Sequence, residues 1–450
     1  MEQCVFKPLS IEVPLAKLNS MVIAAQAQEA HQRTLALING LSAEQLMGPQ
    51  LATVNPLRWE VGHAAYFYEY WLLQQHLKQA PVRPDSDSLY DSINIAHDDR
   101  WDLPLPDMQQ TQQYMQTVLN NIKHCLADGV DPHRDYLAQY AVFHQDMHNE
   151  AYTYTRQTHG YPPPLIGKPL ADIANSDKDI SGDVLIPAGT WMLGADKHSD
   201  FVFDNEKWAH PIELAAFSIA RTAVSNGDFL AFVEAGGYTD KKYWAKEGWQ
   251  WLQDCGLKQP VYWRKNGASW QQRQFDQWFD LKLDAALIHV CWHEAQAYCV
   301  WAKRRLPTEA EWEAAAAGMP SSDGKSLSAN KRHYPWGDAA PDEAVANLDG
   351  YALGTVDVGA YAAGDSAFGC RQMLGNVWEW TQDVFQPYPG FVADMYQDYS
   401  EPLFGHTRVL RGGAWTTRSR MIRNTWRTYY GADRNDVFAG FRTCSLNNYK

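Results

Sequence analysis

Three histidines in the first third of the chain, His63, His144 and His148, are the residues whose type and spacing could do chemistry. His144 and His148 are four residues apart, so on a helix both imidazoles project from one face, about one turn apart. That spacing allows both to bind one metal ion. Residues 59–68, around His63, also have the pattern of a helix with one apolar, aromatic face. We therefore expect two helices to converge on one ion, although a pair with this spacing also arises by chance in a chain with 15 histidines.

Four segments in the first 160 residues have the apolar periodicity of helices. They span residues 15–38, 59–77, 111–126 and 135–158. With four helical segments, the simplest arrangement is a four-helix bundle over residues 1–165. Metal ligands from facing helices meet in the core of such bundles. A long connection, residues 79–110, is rich in Pro, Asp and Ser, and connections of that length are usually functional or disordered.

The chain changes character near residue 165. A polar linker over residues 166–182 leads to a second part, residues 183–450, which holds most of the 19 tryptophans, many glycines and short β-like runs. Turn signals separate these runs, and few helical patterns occur among them. The sequence therefore predicts an α+β protein of two domains, with an irregular, loop-rich second domain.

The composition limits the classes of protein to consider. With 450 residues, 45% hydrophobic content and a formal net charge of -14, the chain is large enough for full cores, and its acidic balance argues against nucleic acid as a partner. We find no apolar run long enough to cross a membrane and no signal peptide, so we expect a cytoplasmic protein without a membrane partner. The seven cysteines are scattered without a Cys-x2-Cys pair, and we expect most of them to be buried, reduced thiols.

Five short motifs in the second part follow one another in a fixed order. They are Arg305-Leu-Pro-Thr-Glu-Ala-Glu-Trp312, Tyr334-Pro-Trp-Gly337, Gly375-Asn-Val-Trp-Glu-Trp380, Arg411-Gly-Gly-Ala-Trp415 and Gly440-Phe-Arg442. In this order they resemble the formylglycine-generating-enzyme-like domain, which has a C-type-lectin-like fold. Tryptophans supply core area in a fold poor in regular structure. We therefore expect core positions for Trp312, Trp378, Trp380 and Trp415, and a buried ion pair for Arg442.

The oxidases with this domain use a cysteine pair after their Arg-Gly-Gly-Ser-Trp motif to hold copper. Residues 416–424, which occupy that place in this chain, contain no cysteine. A thiolate copper site cannot form there, so we expect a different activity.

A DinB-like four-helix bundle with three histidines, followed by this domain, resembles the ergothioneine-biosynthesis sulfoxide synthases over nearly the whole chain. In these non-haem iron enzymes three histidines placed as His63, His144 and His148 hold the metal. The resemblance implies an Fe(II) cofactor and three small-molecule substrates: O2, a thiol and Nα-trimethylhistidine (hercynine). In the family's reaction the sulfur of the thiol is joined to the imidazole C2 carbon of hercynine, and the product is a sulfoxide. Three neutral imidazoles leave open positions on an ion for such substrates. Three histidines also suit zinc, so the ligands alone do not decide the metal.

Several positions that bind substrate in that family differ here. Met147 stands where a glutamine commonly contacts the imidazole substrate, and Ile93 and Asn94 stand where some members have two tyrosines. In another branch the catalytic tyrosine lies between the Val-Trp-Glu-Trp and Arg-Gly-Gly motifs, where this chain offers Tyr396 and Tyr399. We predict that one of these two tyrosines donates a proton or an electron.

Arginines hold the carboxylates of the thiol substrate in the resembled family, and the matching positions are Arg100 and Arg434. An acidic partner near the second arginine in one branch is replaced here by Tyr430, which argues against γ-glutamylcysteine as the donor. Glu150, two residues after His148, is predicted to orient a metal ligand or else to be a solvated helix carboxylate.

The residues around the ligands, 143–157, look most like the selenoneine synthase branch, which couples a selenosugar to the same trimethylhistidine. We therefore predict a synthase that forms a C–Se or C–S bond on trimethylhistidine, with a selenosugar as donor. The alternatives are an ergothioneine-type synthase that uses cysteine or γ-glutamylcysteine, a zinc-dependent thiol transferase, and a non-catalytic lectin-like binding module in which the histidines are core residues.

Overall fold

The computed structural model describes residues 19–166 and 180–446 of the chain. These residues form an α+β protein with a helical part, followed by a mixed part that contains many short strands. The predicted fold class is confirmed. The predicted linker, residues 166–182, lies largely outside the described residues, and so does Cys4.

The helical part contains a bundle of four long helices. Its helices are α1 (Ser20–Ile38), α2 (Ala43–Met47), α3 (Leu57–Tyr68), α4 (Ser86–Tyr90), α5 (Met108–Ala127) and α6 (Pro132–His159), with a π-helix, Glu69–His76, directly after α3. α1 and α3 each pack against both α5 and α6, so these four helices form the predicted bundle. Each buries its apolar stripe in the common core.

The helix that carries two of the histidines, α6, has clear signals at both ends. The Asp131 side chain accepts hydrogen bonds from the backbone N–H groups of His133 and Arg134, which satisfies donors of the first turn. Pro132 occupies the first helical position, where no N–H is needed. Gly160 ends the helix in the left-handed conformation with φ of 67°.

The predicted loop over residues 79–110 is more regular than expected. It contains α4 and a 3-10 helix, His97–Trp101. Its beginning is held by Glu69, a fully buried residue of the π-helix that accepts hydrogen bonds from a backbone N–H of the loop and from Tyr114 of α5. The loop thereby brings Tyr90, at the end of α4, against α3.

The mixed part consists of short elements joined by long loops. Its helices are α7 (Asn226–Glu234), α8 (Lys246–Cys255), α9 (Trp292–Ala302) and α10 (Glu309–Ala317). Its strands are β1 (Asp183–Ile186), β2 (Gly189–Leu193), β3 (His210–Leu214), β4 (Phe217–Ala220), β5 (Trp263–Asn266), β6 (Ser269–Gln274), β7 (Gln277–Asp280), β8 (Arg304–Arg305), β9 (Trp378–Val384), β10 (Arg408–Arg411), β11 (Thr428–Tyr430), β12 (Ala439–Gly440) and β13 (Cys444–Ser445). They form sheets with the orders β1-β4-β13-β8, β11-β10-β9-β12, β2-β3 and β5-β6-β7.

Buried ion pairs hold the loops of this second domain together. Arg442 and Glu379 form a two-bond pair with N–O distances of 2.6 and 2.7 Å, as predicted for Arg442. The same carboxylate accepts a hydrogen bond from the indole N–H of Trp312. The four tryptophans predicted for the core, Trp312, Trp378, Trp380 and Trp415, are at most 2% exposed. They supply the apolar area that such short strands cannot provide.

The cysteines agree with the prediction of reduced thiols. Six of the seven lie among the described residues, and none of these six forms a disulfide. Five are buried, and Cys255 is exposed. Within the described ranges, no helix combines the length and the apolar content that crossing a membrane requires.

Candidate metal centre

The three predicted histidines meet in the core of the bundle. His63 lies on α3, and His144 and His148 lie on adjacent turns of α6. Their ligand nitrogens are all within 4.8 Å of one another, and the two Nε2 atoms on α6 are 3.2 Å apart. In the part of the chain that the structure describes, this is the one group of three or more His, Cys, Asp or Glu side chains placed to hold an ion. The bundle therefore builds the site that the spacing predicts.

Hydrogen bonds fix which nitrogens of two of these rings face the common space. Nδ1 of His63 donates to the backbone carbonyl of Tyr90 at 2.8 Å, and Nδ1 of His148 donates to Oε1 of Glu60 at 2.7 Å. Because a carbonyl and a carboxylate only accept, both Nδ1 atoms carry protons, so Nε2 is the nitrogen of each ring that is left to bind a metal. These two nitrogens and Nε2 of His144 lie close together in one buried space, so the arrangement fits a bound metal ion.

His144 is held by packing instead. Its ring stacks on Phe67 with 3.8 Å between centroids and 14° between planes, and its buried Nδ1 has no hydrogen-bond partner among the described residues. Burial, and then the charge of a neighbouring histidine, holds the pKa of His63 and of His144 well below the ordinary value of 6.5. Both rings are therefore neutral at pH 7, which is the form that binds metal.

Gly62, in the motif Trp59-Glu-Val-Gly-His63, allows the loop to approach the site. A Cβ at this position would lie 2.2 Å from the ring of Tyr90, far inside contact distance. Tyr90 is also the residue whose carbonyl accepts the hydrogen bond from His63. The glycine is therefore required for the close approach that supports a metal ligand.

A stack of an arginine, a tryptophan and a histidine borders the site. The ring of Trp59 stacks on His63 with 4.8 Å between centroids and 8° between planes, and the guanidinium carbon of Arg100 lies 4.1 Å from the centroid of Trp59. Arg100 donates to the side-chain oxygen of Asn55 at 2.7 Å and to backbone carbonyls. Within the described ranges no carboxylate forms a contact ion pair with it, although the charge of Glu60 acts on it from a greater distance.

Asp146, between the two histidines of α6, joins the metal-binding helix to the second domain. Its carboxylate accepts two hydrogen bonds, both 2.6 Å long, from the guanidinium of Arg420. Arg420 also pairs with Glu29 of α1. Burial raises the pKa of Asp146, and the charge of Arg420 opposes that effect. α6 thus directs its histidines into the bundle and this acid toward the second domain.

Glu150 also contacts the second domain, and both roles predicted for it are wrong. It is 8% exposed, and its carboxylate accepts hydrogen bonds from the indole N–H of Trp378 at 2.7 Å and from the hydroxyl of Thr417 at 2.6 Å. It is therefore neither solvated nor in contact with a metal ligand. The carboxylate that orients a ligand is Glu60, which sequence reasoning did not single out. Its position three residues before His63, one helical turn away, is the signal that could have indicated it.

The two tyrosines predicted as proton or electron donors lie in different surroundings. The ring of Tyr396 contacts those of Phe67 and His144, with centroid distances of 5.1 and 5.8 Å. Burial raises the pKa of Tyr396, so its phenol is protonated at neutral pH. Tyr399 lies in the core, where its hydroxyl accepts a hydrogen bond from the indole N–H of Trp426 at 3.4 Å. The structure therefore brings Tyr396, but not Tyr399, against a metal histidine.

The other predicted substrate residues lie on α6 and near the end of the chain. Met147 is half-buried between the two histidines of α6 and offers no strong hydrogen-bonding group. The guanidinium of Arg434 lies 5.3 Å from the ring of Tyr430 and 5.9 Å from that of Tyr154. Two hydrogen bonds of 2.6 and 2.7 Å to Asp436 neutralise the charge of Arg434, which the sequence analysis did not predict.

The positions matched to a tyrosine pair in some relatives do not contribute to the site. Ile93 and Asn94 are both exposed on the loop that contains α4. The amide of Asn94 donates to the Asp91 carboxylate. No aromatic side chain replaces the pair at these two positions.

A cavity of about 380 Å³ lies between the end of α6 and the second domain. Its lining includes Gln157 of α6, His289, Trp415 and Phe438. None of the three metal histidines and none of the predicted substrate residues lines it.

The chain matches two known domain families. Residues 26–154 match the DinB superfamily, and residues 170–446 match the family described as Sulfatase-modifying factor enzyme 1-like domain. The first match contains the three metal histidines, and the second covers nearly all of the mixed part. A solved structure of PvdO from Pseudomonas aeruginosa, 22% identical, covers 60% of this chain and 95% of its own with a TM-score of 0.41.

The chain is also similar to hercynine oxygenases over nearly its whole length. It is 35% identical to the hercynine oxygenase of Mycolicibacterium thermoresistibile, over 93% of this chain and 94% of that protein. It is likewise 35% identical to that of Mycobacterium tuberculosis, over 93% of this chain and 97% of the relative. The formylglycine-generating enzyme of Thermomonospora curvata is 30% identical, over 58% of this chain and 92% of that enzyme. The likeness to the hercynine oxygenases therefore includes the histidine-bearing bundle.

Proposed function

This chain belongs to the hercynine oxygenase family and is an oxygenase. On that premise we propose that it forms a C–Se or C–S bond at the imidazole C2 of hercynine, and that its preferred donor is a selenosugar, which gives the C–Se bond. In the proposed reaction the C2–H and Se–H bonds break, while a C–Se bond and an Se=O bond form. The second oxygen atom of O2 leaves as water. Dioxygen accepts all four electrons, so the reaction needs no further reductant.

The observation that supports this proposal most is the three-histidine site. We propose His63, His144 and His148 as the ligands of Fe(II), because all three meet and two of them are held with Nε2 free. A set of three neutral nitrogen donors from two helices suits iron and leaves positions open for substrates. Bound iron would supply the activation of dioxygen. The protein orients the ligands through Glu60 and the carbonyl of Tyr90.

The proposed roles of the surrounding residues follow from their charge and position. Tyr396 is a neutral phenol beside His144, and we assign to it the donation of a proton or an electron at the reacting centre. Arg100 lacks a contact ion pair among the described residues, and we assign to it the binding of a substrate carboxylate. Because a selenosugar has no carboxylate, that group is the one of hercynine. For Tyr399 the role of proton or electron donor stays a prediction, and no contact between its ring and the three histidines supports it.

The choice of donor rests on Arg434, Tyr430 and Met147. The charge of Arg434 is already neutralised by Asp436, and Tyr430 adds a phenol where one related branch has an acid. A neutral, hydroxyl-rich donor suits these surroundings better than γ-glutamylcysteine, which carries two carboxylates. Met147 provides an apolar surface beside the metal ligands.

A competition experiment tests the proposed donor. The Fe(II) protein is mixed anaerobically with hercynine and equal amounts of selenosugar, cysteine and γ-glutamylcysteine, and is then exposed to air. Mass spectrometry should detect mainly the selenium product, at least about tenfold above either sulfur product. An equal or larger yield of a sulfur product would overturn the selenosugar assignment, and the absence of every C2-substituted product would overturn the function.

The zinc-dependent alternative predicts different requirements. A zinc thiol transferase needs no dioxygen, whereas the proposed synthase consumes it. The protein loaded with Fe(II) or with Zn(II) is assayed with and without air. Of these four conditions, only the Fe(II) protein in air is expected to be active. His144→Ala should lose both metal and activity, while His124→Ala, an exposed histidine of α5, serves as the matched control. Activity of the zinc protein without air would favour the transferase.

A further inference from the structure

A loop of the second domain delivers Tyr396 to the metal site. The loop, residues 385–407, joins β9 to β10 and contains two single-turn 3-10 helices as its regular structure. The ring of Tyr396 contacts Phe67 of α3 and His144 of α6, so it lies against both helices that carry metal histidines. A loop without strands depends on side-chain contacts to hold its position. Residues outside the loop must therefore fix the place of Tyr396.

Asp204 holds this loop on both sides of Tyr396. Its Oδ2 atom accepts a hydrogen bond from the backbone N–H of Asp394 at 3.2 Å and another from the hydroxyl of Ser400 at 2.7 Å. Asp394 precedes Tyr396 by two residues, and Ser400 follows it by four. Asp204 is 0% exposed, and a carboxylate oxygen can accept two hydrogen bonds at once. One buried oxygen atom therefore brackets the segment that contains Tyr396.

Asp394 connects the same loop to the metal-binding helix. Its Oδ2 accepts a hydrogen bond from the phenol of Tyr136 at 2.7 Å, and its Oδ1 pairs with Nζ of Lys207 at 2.6 Å. Tyr136 lies on α6, eight residues and about two turns before His144. The helix that presents His144 therefore also holds the loop that places Tyr396 against it.

Burying the ionisable side chains of Asp204, Asp394 and Lys207 together costs free energy of folding. Burial, and then the neighbouring charge of Asp394, raises the pKa of Asp204 to about 7. Lys207 contributes one positive charge beside two carboxyl groups. Apolar side chains of similar volume would often be at least as stable at such a place. A purely stabilising role therefore explains the two acids less well than a role in placing the loop.

We propose that Asp204 and Asp394 are positioning residues, which hold Tyr396 against the metal site through the loop. The inference rests on the proposed function, in which Tyr396 donates a proton or an electron. Displacing a reacting group by about 1 Å can slow a reaction by about a hundredfold, so the anchoring of the loop controls the rate. The two acids thereby set the turnover number while contacting neither the substrate nor the metal.

A double-mutant cycle separates positioning from a general effect on structure. Asp204→Ala is made in the wild-type chain and in the Tyr396→Phe variant. In the wild-type chain we expect kcat to fall about tenfold or more, while KM for hercynine stays within about twofold. In the Tyr396→Phe background kcat should fall by less than about twofold, because the positioned group is absent. Equal losses in both backgrounds, or no loss in the first, would overturn the proposal.

Milder variants and a control guard against simple misfolding. Asp204→Asn keeps an acceptor oxygen and should restore part of kcat, and Ser400→Ala removes one of the two bonds and should cause a smaller loss. Asp365→Ala breaks an ion pair between the half-buried Asp365 and the buried Arg371 elsewhere in the second domain. This control should lower the melting temperature. Any loss of kcat that it causes should be the same in the wild-type chain and in the Tyr396→Phe variant. If Asp365→Ala also lowered kcat only when Tyr396 is present, a specific positioning role for Asp204 would be contradicted.

A second measurement requires no turnover. Hydrogen exchange of the backbone amides of residues 394–400 in metal-free protein should accelerate by about tenfold or more in Asp204→Ala, while the amides of α6 stay protected. Unchanged exchange in this segment would overturn the anchoring. If the wild-type protein forms no C2-substituted product, the proposed function fails, and the exchange rates still decide whether Asp204 anchors the loop.

Discussion

Glu60 accepts a hydrogen bond from Nδ1 of His148 at 2.7 Å, across the bundle from α3 to α6. Glu60 lies one turn before His63, so one turn of α3 supplies a metal ligand and the support for another. The carboxylate keeps the proton on Nδ1 and leaves Nε2 free for the metal. Ligand orientation in this site therefore depends on a residue that does not bind the metal.

Glu60→Gln should weaken metal binding without unfolding the bundle. The amide matches the carboxylate in size, but it accepts a weaker hydrogen bond and no longer favours one state of His148. We expect the affinity for metal to fall by about 10- to 100-fold, measured by competition with a chelator. Glu44→Gln, on the exposed side of α2, is the matched control. An unchanged affinity in Glu60→Gln would show that the hydrogen bond is not needed.

Gly62→Ala should damage the site through Tyr90. The added Cβ would lie 2.2 Å from the Tyr90 ring, so the loop must move away and the carbonyl that supports His63 moves with it. We expect metal affinity to fall by about tenfold or more. Gly40→Ala is the control, because it strains a left-handed residue, φ of 78°, where nothing lies within 4 Å. Equal metal affinities in the two variants would contradict the role of Gly62.

Arg420→Met should destabilise the contact between the two domains. It leaves the Asp146 carboxylate buried without its partner, which costs about 3 to 5 kcal/mol in comparable cases. Urea unfolding, followed by tryptophan fluorescence, measures the change. The double variant Arg420→Met with Asp146→Asn should recover much of the loss, because no charge then stays unpaired. The exposed pair of Lys242 and Asp240 offers a control whose removal should leave the unfolding midpoint unchanged.

Glu294 should make stability depend on pH. Burial raises its pKa from the usual value near 4.5 to about 7, so the folded protein holds this proton more tightly than the unfolded chain. The unfolded chain loses its proton first as the pH rises, and stability should therefore fall between pH 4.5 and 7 and level off above it. The full effect corresponds to roughly 3 kcal/mol. Glu294→Gln should flatten this slope in urea titrations at pH 5 and pH 8, and an unchanged slope would assign the effect to other groups.

The sequence predicts the parts of this structure that depend on local patterns. The helices of the bundle follow from apolar periodicity, and the spacing of His144 and His148 places both on one face of α6. The order of motifs in the second half predicts a buried ion pair for Arg442, and the structure identifies its partner as Glu379. These features need only neighbouring residues or a family resemblance to be recognised.

The parts that sequence reasoning missed depend on packing between distant segments. Glu150 meets Trp378, 228 residues away, so its side chain looked either functional or solvated before the domain contact was known. The support of His63 by Tyr90 depends on how the loop folds over Gly62. Neither contact produces a recognisable pattern in the sequence, because each forms only when distant elements pack together.

The most direct test follows the C2 hydrogen of hercynine itself. Hercynine deuterated at the imidazole C2 is given to the Fe(II) protein with a selenosugar and air, and oxygen uptake is recorded while mass spectrometry follows the deuterium. We predict one deuterium lost from C2 for each O2 consumed, and neither event in the Zn(II) protein or in His144→Ala. Oxygen uptake with the deuterium fully retained in hercynine, or equal turnover with zinc, would contradict an iron- and O2-dependent bond formation at C2.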